Sequence, residues 1–228
     1  MKIENVKGVV WDLDGTLIDS FGIFEQIIAD VVKESGHTMP THEYMLRNYH
    51  GSLEETIQKI LGIESTEELD RTVTKFLKRQ EHYYAGDLET HLFKDASMLA
   101  QQAAKQNIHQ LLVTNRGHAN RGSASPRFIV AATVLADCIH EIHPGDEVEY
   151  RKPDGRALGD WMERNRLAPG EVVVIGDQFV DAQLALNIGA RVVLVKRNGD
   201  IPHIDTLIGH DHEAIAMVDS LEDIELVH

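Results

Sequence analysis

The sequence predicts an open α/β fold, a doubly wound parallel sheet interrupted by an all-helical insert. Two observations carry this. Short runs rich in Val and Ile recur between helical patterns, and continuous runs of that kind read as parallel strands buried on both faces. The first two runs are also separated by roughly ninety residues of helical character, where a crossover between neighbouring parallel strands needs only about a dozen.

Taken in chain order, the first strand is GVVWDL, Gly8–Leu13. The insert follows. Phe24, Ile27, Ile28, Val31 and Val32 recur at helical spacing and form one apolar face. Ser52 and Glu55 form a capping-box pattern ahead of Leu53, Ile57, Ile60 and Leu61, and Gly62 stops that helix. Ser65 and Glu68 repeat the pattern ahead of Leu69, Val73, Phe76 and Leu77, with Gly86 just beyond. Asp95 is placed to cap the helix that returns to the sheet. The next strand is IHQLLVT, Ile108–Thr114. CIHEI, Cys138–Ile142, is a weaker candidate. Pro153 is expected to open a helix, and EVVVIG, Glu171–Gly176, and ARVVLV, Ala190–Val195, complete the series. Successive βα units of this kind imply helices on both sides of the sheet.

Composition narrows the function. The chain has 228 residues, enough for one large domain or a domain with an inserted module. Asp and Glu outnumber Lys and Arg, 37 to 22, for a formal charge of −15. No basic cluster is present to release counterions from a phosphate backbone, so nucleic acid is excluded as a partner. A phosphorylated substrate would have to be held by local cations against this acidic background. Cys138 is the single cysteine; it cannot form an intramolecular disulfide, and its apolar setting reads as a buried small hydrophobe. MKIENVKG at the start lacks an apolar signal-peptide core, and no segment approaches the ~20 apolar residues of a membrane span, so a cytoplasmic protein without a membrane partner is expected.

Chemistry-bearing residues gather where strands end. Asp12 and Asp14 close the first strand, and a buried carboxylate such as Asp12 is costly without a counterion or donors. Thr114 and Asn115 close the second in LLVTNRG. Lys152 stands in YRKPDG, an unfavourable place for a cation if a helix begins there, unless an anion shares it. Asp177 and Asp181 follow the strand ending at Gly176, and their spacing of four places both on one face of a starting helix. Singly, each piece has an ordinary explanation as a turn, a cap or a solvated pair. Ligands of open α/β sheets, however, sit at the carboxyl ends of the strands. Four acids gathered there repel one another unless a divalent cation and a lysine neutralise them, and hard oxygen ligands without His or Cys suit Mg²⁺. The histidine pairs His140/His143 and His210/His212 lack the partners of a metal site. Arg116 and Arg151 read as surface arginines that add cationic reach at most.

DLDGT, VTN, RKP and GDQFVD, in this order and spacing, resemble the four motifs of the haloacid dehalogenase (HAD) superfamily, and the helical insert is similar to its small α-helical cap of the first type. The resemblance covers nearly the whole chain. It implies a Rossmann-like catalytic core from residues 1–16 and 92–228, a cap from residues 17–91, and Mg²⁺ as cofactor. By the same resemblance Asp12 is the nucleophile that becomes an aspartyl-phosphate, and Asp14 is the acid that protonates the leaving oxygen and then the base that activates water. Asp12, the carbonyl of Asp14 and Asp177 hold the metal. Asp181 is a further ligand or orients Lys152, while Thr114 and Lys152 grip the phosphoryl oxygens and Asn115 is a further substrate-binding candidate. The cap loop RNYHGSLEE resembles a specificity loop, which makes Arg47, His50 and Ser52 candidates for reading the leaving group. An acid at Asp14 argues for a phosphate ester over a halide, since halide needs no proton. The expected function is a phosphatase acting on a small phosphorylated metabolite; a phosphosugar mutase and a catalytically idle binding module of the same fold are the alternatives.

Overall fold

The structure is a computed structural model that describes residues 1–49, 52–117, 122–208 and 214–228. β1 (Lys2–Ile3) and β2 (Gly8–Trp11) open the chain, followed by α1 (Ser20–Ser35), α2 (His42–Asn48), α3 (Leu53–Leu61) and α4 (Thr66–Tyr84). Next come α5 (Lys94–Lys105), β3 (His109–Thr114), α6 (Pro126–Ala131), β4 (Glu141–Pro144), α7 (Arg156–Arg164) and β5 (Val172–Gly176). The chain closes with α8 (Phe179–Asn187), β6 (Arg191–Val195), α9 (Asp205–Ile208), β7 (Ile215–Val218) and β8 (Glu225–Leu226). Contacts divide it into two units, Met1–Asp19 with Glu89–His228, and Ser20–Leu88.

The first unit is built on a six-stranded sheet in the order β4-β3-β2-β5-β6-β7, with every neighbouring pair parallel. The chain winds outward from β2 through β3 to β4, returns to the other side of β2 at β5, and winds outward again. The order therefore reverses at β2, and the crevice at such a switch point is where open α/β sheets bind ligands. Trp11, the last residue of β2, lies opposite Leu112 on one side and Ile175 on the other, so Asp12, Thr114 and Gly176 emerge at the same edge of the sheet. The central strands are buried throughout β2 and β5, as their continuous apolar character requires. Gly8 makes room for the core beneath: a Cβ there would lie 2.8 Å from Leu167 and 2.9 Å from Trp161. The polar side chains of Trp11 and Gln110 between the strands are satisfied. Trp11 Nε1 donates to Gln110 Oε1 at 2.9 Å, and Gln110 Nε2 donates to the carbonyls of Ala100 at 3.0 Å and Cys138 at 3.2 Å. Cys138 is buried as expected, and burial pushes its thiol pKa up.

Four strands depart from the sequence reading. The fourth run pairs as Glu141–Pro144, displaced toward the C-terminus of the expected Cys138–Ile142. β7, IAMV, is a half-exposed edge strand, a short apolar run that the sequence reading did not include. β1 and β8 are two-residue strands that pair only with each other, too short for any periodicity. Asp95 is not the cap of α5 either: that place belongs to Phe93, and Asp95 lies one residue inside the helix, accepting from the Ala96 amide at 2.8 Å. Pro153 does not open a helix. It follows a cis peptide bond in a turn, and α7 starts at Arg156.

Among the described residues of the second unit the regular elements are all helices. Its core packs Ile27, Ile28, Val31, Ile57 and Ile60 with aromatic contacts: the rings of Phe24 and Phe76 lie 5.4 Å apart, and those of Phe24 and Tyr49 4.8 Å apart. The Ser52 capping box is complete, and Gly62 ends α3 at φ 65°. Before α4 only half of the second box forms. Ser65 accepts from the Glu68 amide, whereas the Glu68 carboxylate pairs with His37 at 3.2 Å. Among the described residues no helix is long and apolar enough to cross a membrane.

Candidate active site

The sheet delivers Asp12 to the crevice while β2 is still paired: its amide donates to the Ile175 carbonyl at 2.9 Å. The chain then turns sharply, with the Leu13 carbonyl accepting from Leu17 and Ile18, each at 3.0 Å. Gly15 occupies φ 78°, and a Cβ on it would fall 2.2 Å from Asp177 Oδ2. Its lack of a side chain thus serves both the turn and the close approach of the β5 exit. Thr16, fully buried, sets its hydroxyl between Asp12 Oδ2 at 3.5 Å and Asp177 Oδ1 at 3.4 Å, at the long limit of a hydrogen bond. The sequence reading missed this residue as a site component; its position four residues after Asp12 was the available signal.

Lys152 is the buried cation of the site. Its ammonium donates to Asp12 Oδ1 and, at 2.7 Å, to Asp181 Oδ1. Asn115, expected to bind substrate, donates through Nδ2 to the Lys152 carbonyl at 3.2 Å and so anchors the loop that carries the lysine. Asp177 precedes α8 and Asp181 lies inside it, so the two do not share a helix face as the spacing suggested. Asp181 Oδ2 accepts from the Gln178 amide at 3.1 Å while Oδ1 holds Lys152. Gly176 permits this: a Cβ there would meet Asp181 Cγ at 2.3 Å. Thr114 is buried at the end of β3 and its hydroxyl oxygen accepts from the Arg116 amide at 3.0 Å, which leaves the hydroxyl proton to donate elsewhere.

Asp12, Asp177 and Asp181 each bring a carboxylate oxygen within 4.8 Å of the others. Burial pushes Asp12 up to about 7, with Lys152 opposing and Asp181 and Asp14 adding to the rise. Burial, then Asp12 and Asp181, push Asp177 well above the ordinary carboxylate range. Burial alone would depress Lys152, but Asp12 and Asp181 outweigh it and raise the lysine, so the ammonium stays charged. One lysine cannot neutralise three carboxylates in this volume. The all-oxygen donor set and its uncompensated charge fit a hard divalent cation.

Asp14 is not one of the three clustered carboxylates. Its carboxylate is gripped by Arg116, through Nε to Oδ2 at 2.9 Å and through Nη2 to Oδ1. The Arg116 side chain is only 6% exposed, contrary to its reading as a surface arginine. Arg47 closes α2, exposed, and pairs with Glu43 one turn back at 2.5 Å. His50 lies outside the described residues, and Ser52 caps α3. His143 bonds to Glu141 and the Ala157 carbonyl, and His210 and His212 also lie outside the described residues.

The family model for haloacid dehalogenase-like hydrolases matches residues 9–195. The chain is 26% identical to a phosphoglycolate phosphatase of Nitrosospira multiformis over 194 residues, covering 83% of each protein. It is 26% identical to the phosphoglycolate phosphatase of Thiobacillus denitrificans over 196 residues, again 83% of each. Among solved structures it is similar to a predicted phosphoglycolate phosphatase from Haemophilus somnus, with TM-score 0.74, 16% identity and 97% of both chains covered. It also resembles a mutant of CbbY from Rhodobacter sphaeroides in complex with xylulose-(1,5)bisphosphate, with TM-score 0.65, 15% identity and 97% of both chains covered. These two likenesses concern the fold.

Proposed function

The chain belongs to the haloacid dehalogenase-like hydrolases, as a phosphatase-type member acting on phosphoric monoesters, and from that premise we propose that it hydrolyses a small phosphorylated metabolite through an aspartyl-phosphate on Asp12 with Mg²⁺ as cofactor. The observation that carries this reading is the buried Asp12 carboxylate, gripped by Lys152 at the edge where three acids converge.

Asp12, Asp177 and Asp181 are the side chains that would hold the cation. Its bound charge would offset the repulsion between Asp12 and the phosphoryl oxygens. Asp12 attacks phosphorus in line as the bond to the leaving oxygen breaks, and Asp14 gives that oxygen its proton. A water then attacks the aspartyl-phosphate, Asp14 takes the water's proton, and the Asp12–phosphorus bond breaks to release inorganic phosphate. Lys152, kept in place by Asp181, and the hydroxyl of Thr114 hold non-bridging oxygens through both halves. Asn115 acts one step removed, by fixing the Lys152 loop.

Phosphoglycolate is the first substrate to test, because it is the substrate named for the curated relatives. Selection of the leaving group is assigned to the helical unit, with Arg47 and His50 as its candidates. Phosphate release from 2-phosphoglycolate, with and without Mg²⁺, is the test. The expected result is Mg²⁺-dependent turnover with a phosphorylated enzyme that acid quenching traps on Asp12. Turnover that persists in Asp12→Asn, with deamidation excluded by mass, would overturn the reading.

A further inference from the structure

Arg116 is an unusual arginine for a strand-to-loop exit. Nε and Nη2 form a fork on both oxygens of Asp14, and Nη1 donates to the Ala124 carbonyl at 3.0 Å. Its amide donates to Thr114 Oγ1 at 3.0 Å, and its carbonyl accepts from the Gly145 amide at 3.0 Å. Gly145 comes so close that a Cβ on it would lie 2.7 Å from the Asn115 carbonyl oxygen. Main chain and guanidinium are thus both clamped. The partner is less enclosed: the Asp14 side chain is 25% exposed against 6% for Arg116.

We propose that Arg116 is a positioning residue for Asp14, its planar fork fixing the carboxylate from which the proton passes to the leaving oxygen. This rests on the acid/base role given to Asp14 above. A bidentate fork uses one lone pair on each carboxylate oxygen and leaves the other to carry or accept a proton. It also sets the plane of the group, which a single charge contact does not. The Asp14 carboxylate left behind when the leaving oxygen takes its proton is held ready to receive one from water in the second half. Thr114 and Arg116 are locked together by the Arg116 amide, so the phosphoryl-binding hydroxyl and the acid are set by one loop.

The test is the leaving-group dependence of kcat/KM, which reports the steps up to departure of the leaving group. Probes are p-nitrophenyl phosphate, whose leaving group needs little protonation, and two alkyl esters, 2-phosphoglycolate and glycerol 3-phosphate. Arg116→Ala is expected to lose about 10²-fold on the alkyl esters, the scale of an ångström-sized misplacement, and less than about tenfold on the aryl ester. Arg116→Lys keeps a cation in the slot but not the fork, and is expected to show the same bias. It also stands in if Arg116→Ala fails to fold, as judged by circular dichroism and melting. Arg116→Ala combined with Asp14→Asn should be no worse on the alkyl esters than Asp14→Asn alone. Equal losses on aryl and alkyl esters, full rescue by lysine, or multiplying losses in the double variant would overturn the proposal. Asp14→Asn alone separates the two levels. If it shows the alkyl bias and Arg116→Ala does not, only the Arg116 assignment falls. If it shows none, the role given to Asp14 falls and takes the inference with it.

Discussion

Two buried ion clusters in the sheet unit have nearly the same burial and opposite electrostatics. In the first, Asp95 and Arg197 pair with side chains 8% and 11% exposed. The guanidinium bonds both Asp95 oxygens at 2.7 and 2.8 Å, and the Ala96 amide, the Ser220 hydroxyl and the Leu221 amide supply the remaining donors. Arg197 also stacks over Phe93 at 4.1 Å. In the second, Lys152 and Asp12 are 4% and 6% exposed, but Asp181 shares the same lysine and Asp177 brings a third carboxylate within 4.8 Å of both acids. Burial alone would raise Asp95, yet Arg197 and the amides hold it down at about 2. Asp12 is driven up to about 7. What separates them is stoichiometry. One carboxylate with one guanidinium and a full set of donors is electrically closed and pins α5 to the loops after β6 and β7. Three clustered carboxylates with one lysine leave negative charge uncompensated.

The largest effect is expected from neutralising Asp12 in the open cluster. Asp12→Asn should lower phosphate release by at least about 10⁴-fold, the scale on which loss of a covalent nucleophile is felt in hydrolases, while the melting temperature in chelator stays level or rises. Steady-state kinetics and calorimetry on one preparation read both. Residual activity within tenfold of wild type would remove Asp12 from the chemistry.

Chelation comes next in size. Turnover should vanish in EDTA and return with Mg²⁺. Ca²⁺ should inhibit, since its larger and looser oxygen shell positions Asp12 poorly. A rate unchanged by chelator would mean that the acid cluster works without a cation.

The closed cluster should answer in stability. Arg197→Ala leaves Asp95 buried without its cation and should cost about 3–5 kcal/mol, read by urea unfolding, with kcat per folded molecule changed only a few-fold. A loss below ~1 kcal/mol, the scale of an exposed pair, would show the pin to be ornamental.

The pH dependences of the two clusters should run in opposite directions. The folded-state pKa of Asp95 is depressed, so its contribution, about 2 kcal/mol from a shift of this size, is present above pH ~4 and fades as pH falls toward about 2. Asp12 is raised, so metal-free folded protein binds the extra proton between about pH 4 and 7, and stability should decline as pH rises through that window. The melting-temperature gain from Mg²⁺ should therefore be larger at pH 8 than at pH 5. An equal gain at both would show that the acid cluster carries no such strain.

The smallest effect expected is at Arg47. Its exposed pair with Glu43 is worth only about 0.3–0.5 kcal/mol, so Arg47→Ala should leave stability unchanged. Under the leaving-group role it should alter KM or the ranking of alkyl esters while sparing p-nitrophenyl phosphate. An unaltered ranking would move specificity to other residues.

Much was legible in the sequence because it was local. The apolar runs of β2, β3, β5 and β6 and the caps at Ser52, Gly62 and Ser65 are each decided within about ten residues of chain. Asp12, Asp14, Thr114, Lys152, Asp177 and Asp181 stood out because polar residues closing buried strands must meet at one edge of an open sheet. Helix starts were less legible where tertiary bonds took over: Glu68 left its box for His37, Asp95 left the cap of α5 for Arg197, and Asp181 faces Lys152 while Asp177 stays outside α8. The two-residue strands β1 and β8 exist through each other and carry little pattern of their own, and the edge strand β7 offers only the short run IAMV. Arg116 was out of reach from sequence. Its partner Asp14 is 102 residues away, and an arginine in a strand exit has the same local signature whether it faces solvent or a catalytic acid. Periodicity and propensity act over a turn of helix or a length of strand, so residue order alone determined the elements and which strand ends carry acid. The order β4-β3-β2-β5 of the folded sheet decided which of those groups touch, and with that which cluster is a closed pin and which an open site.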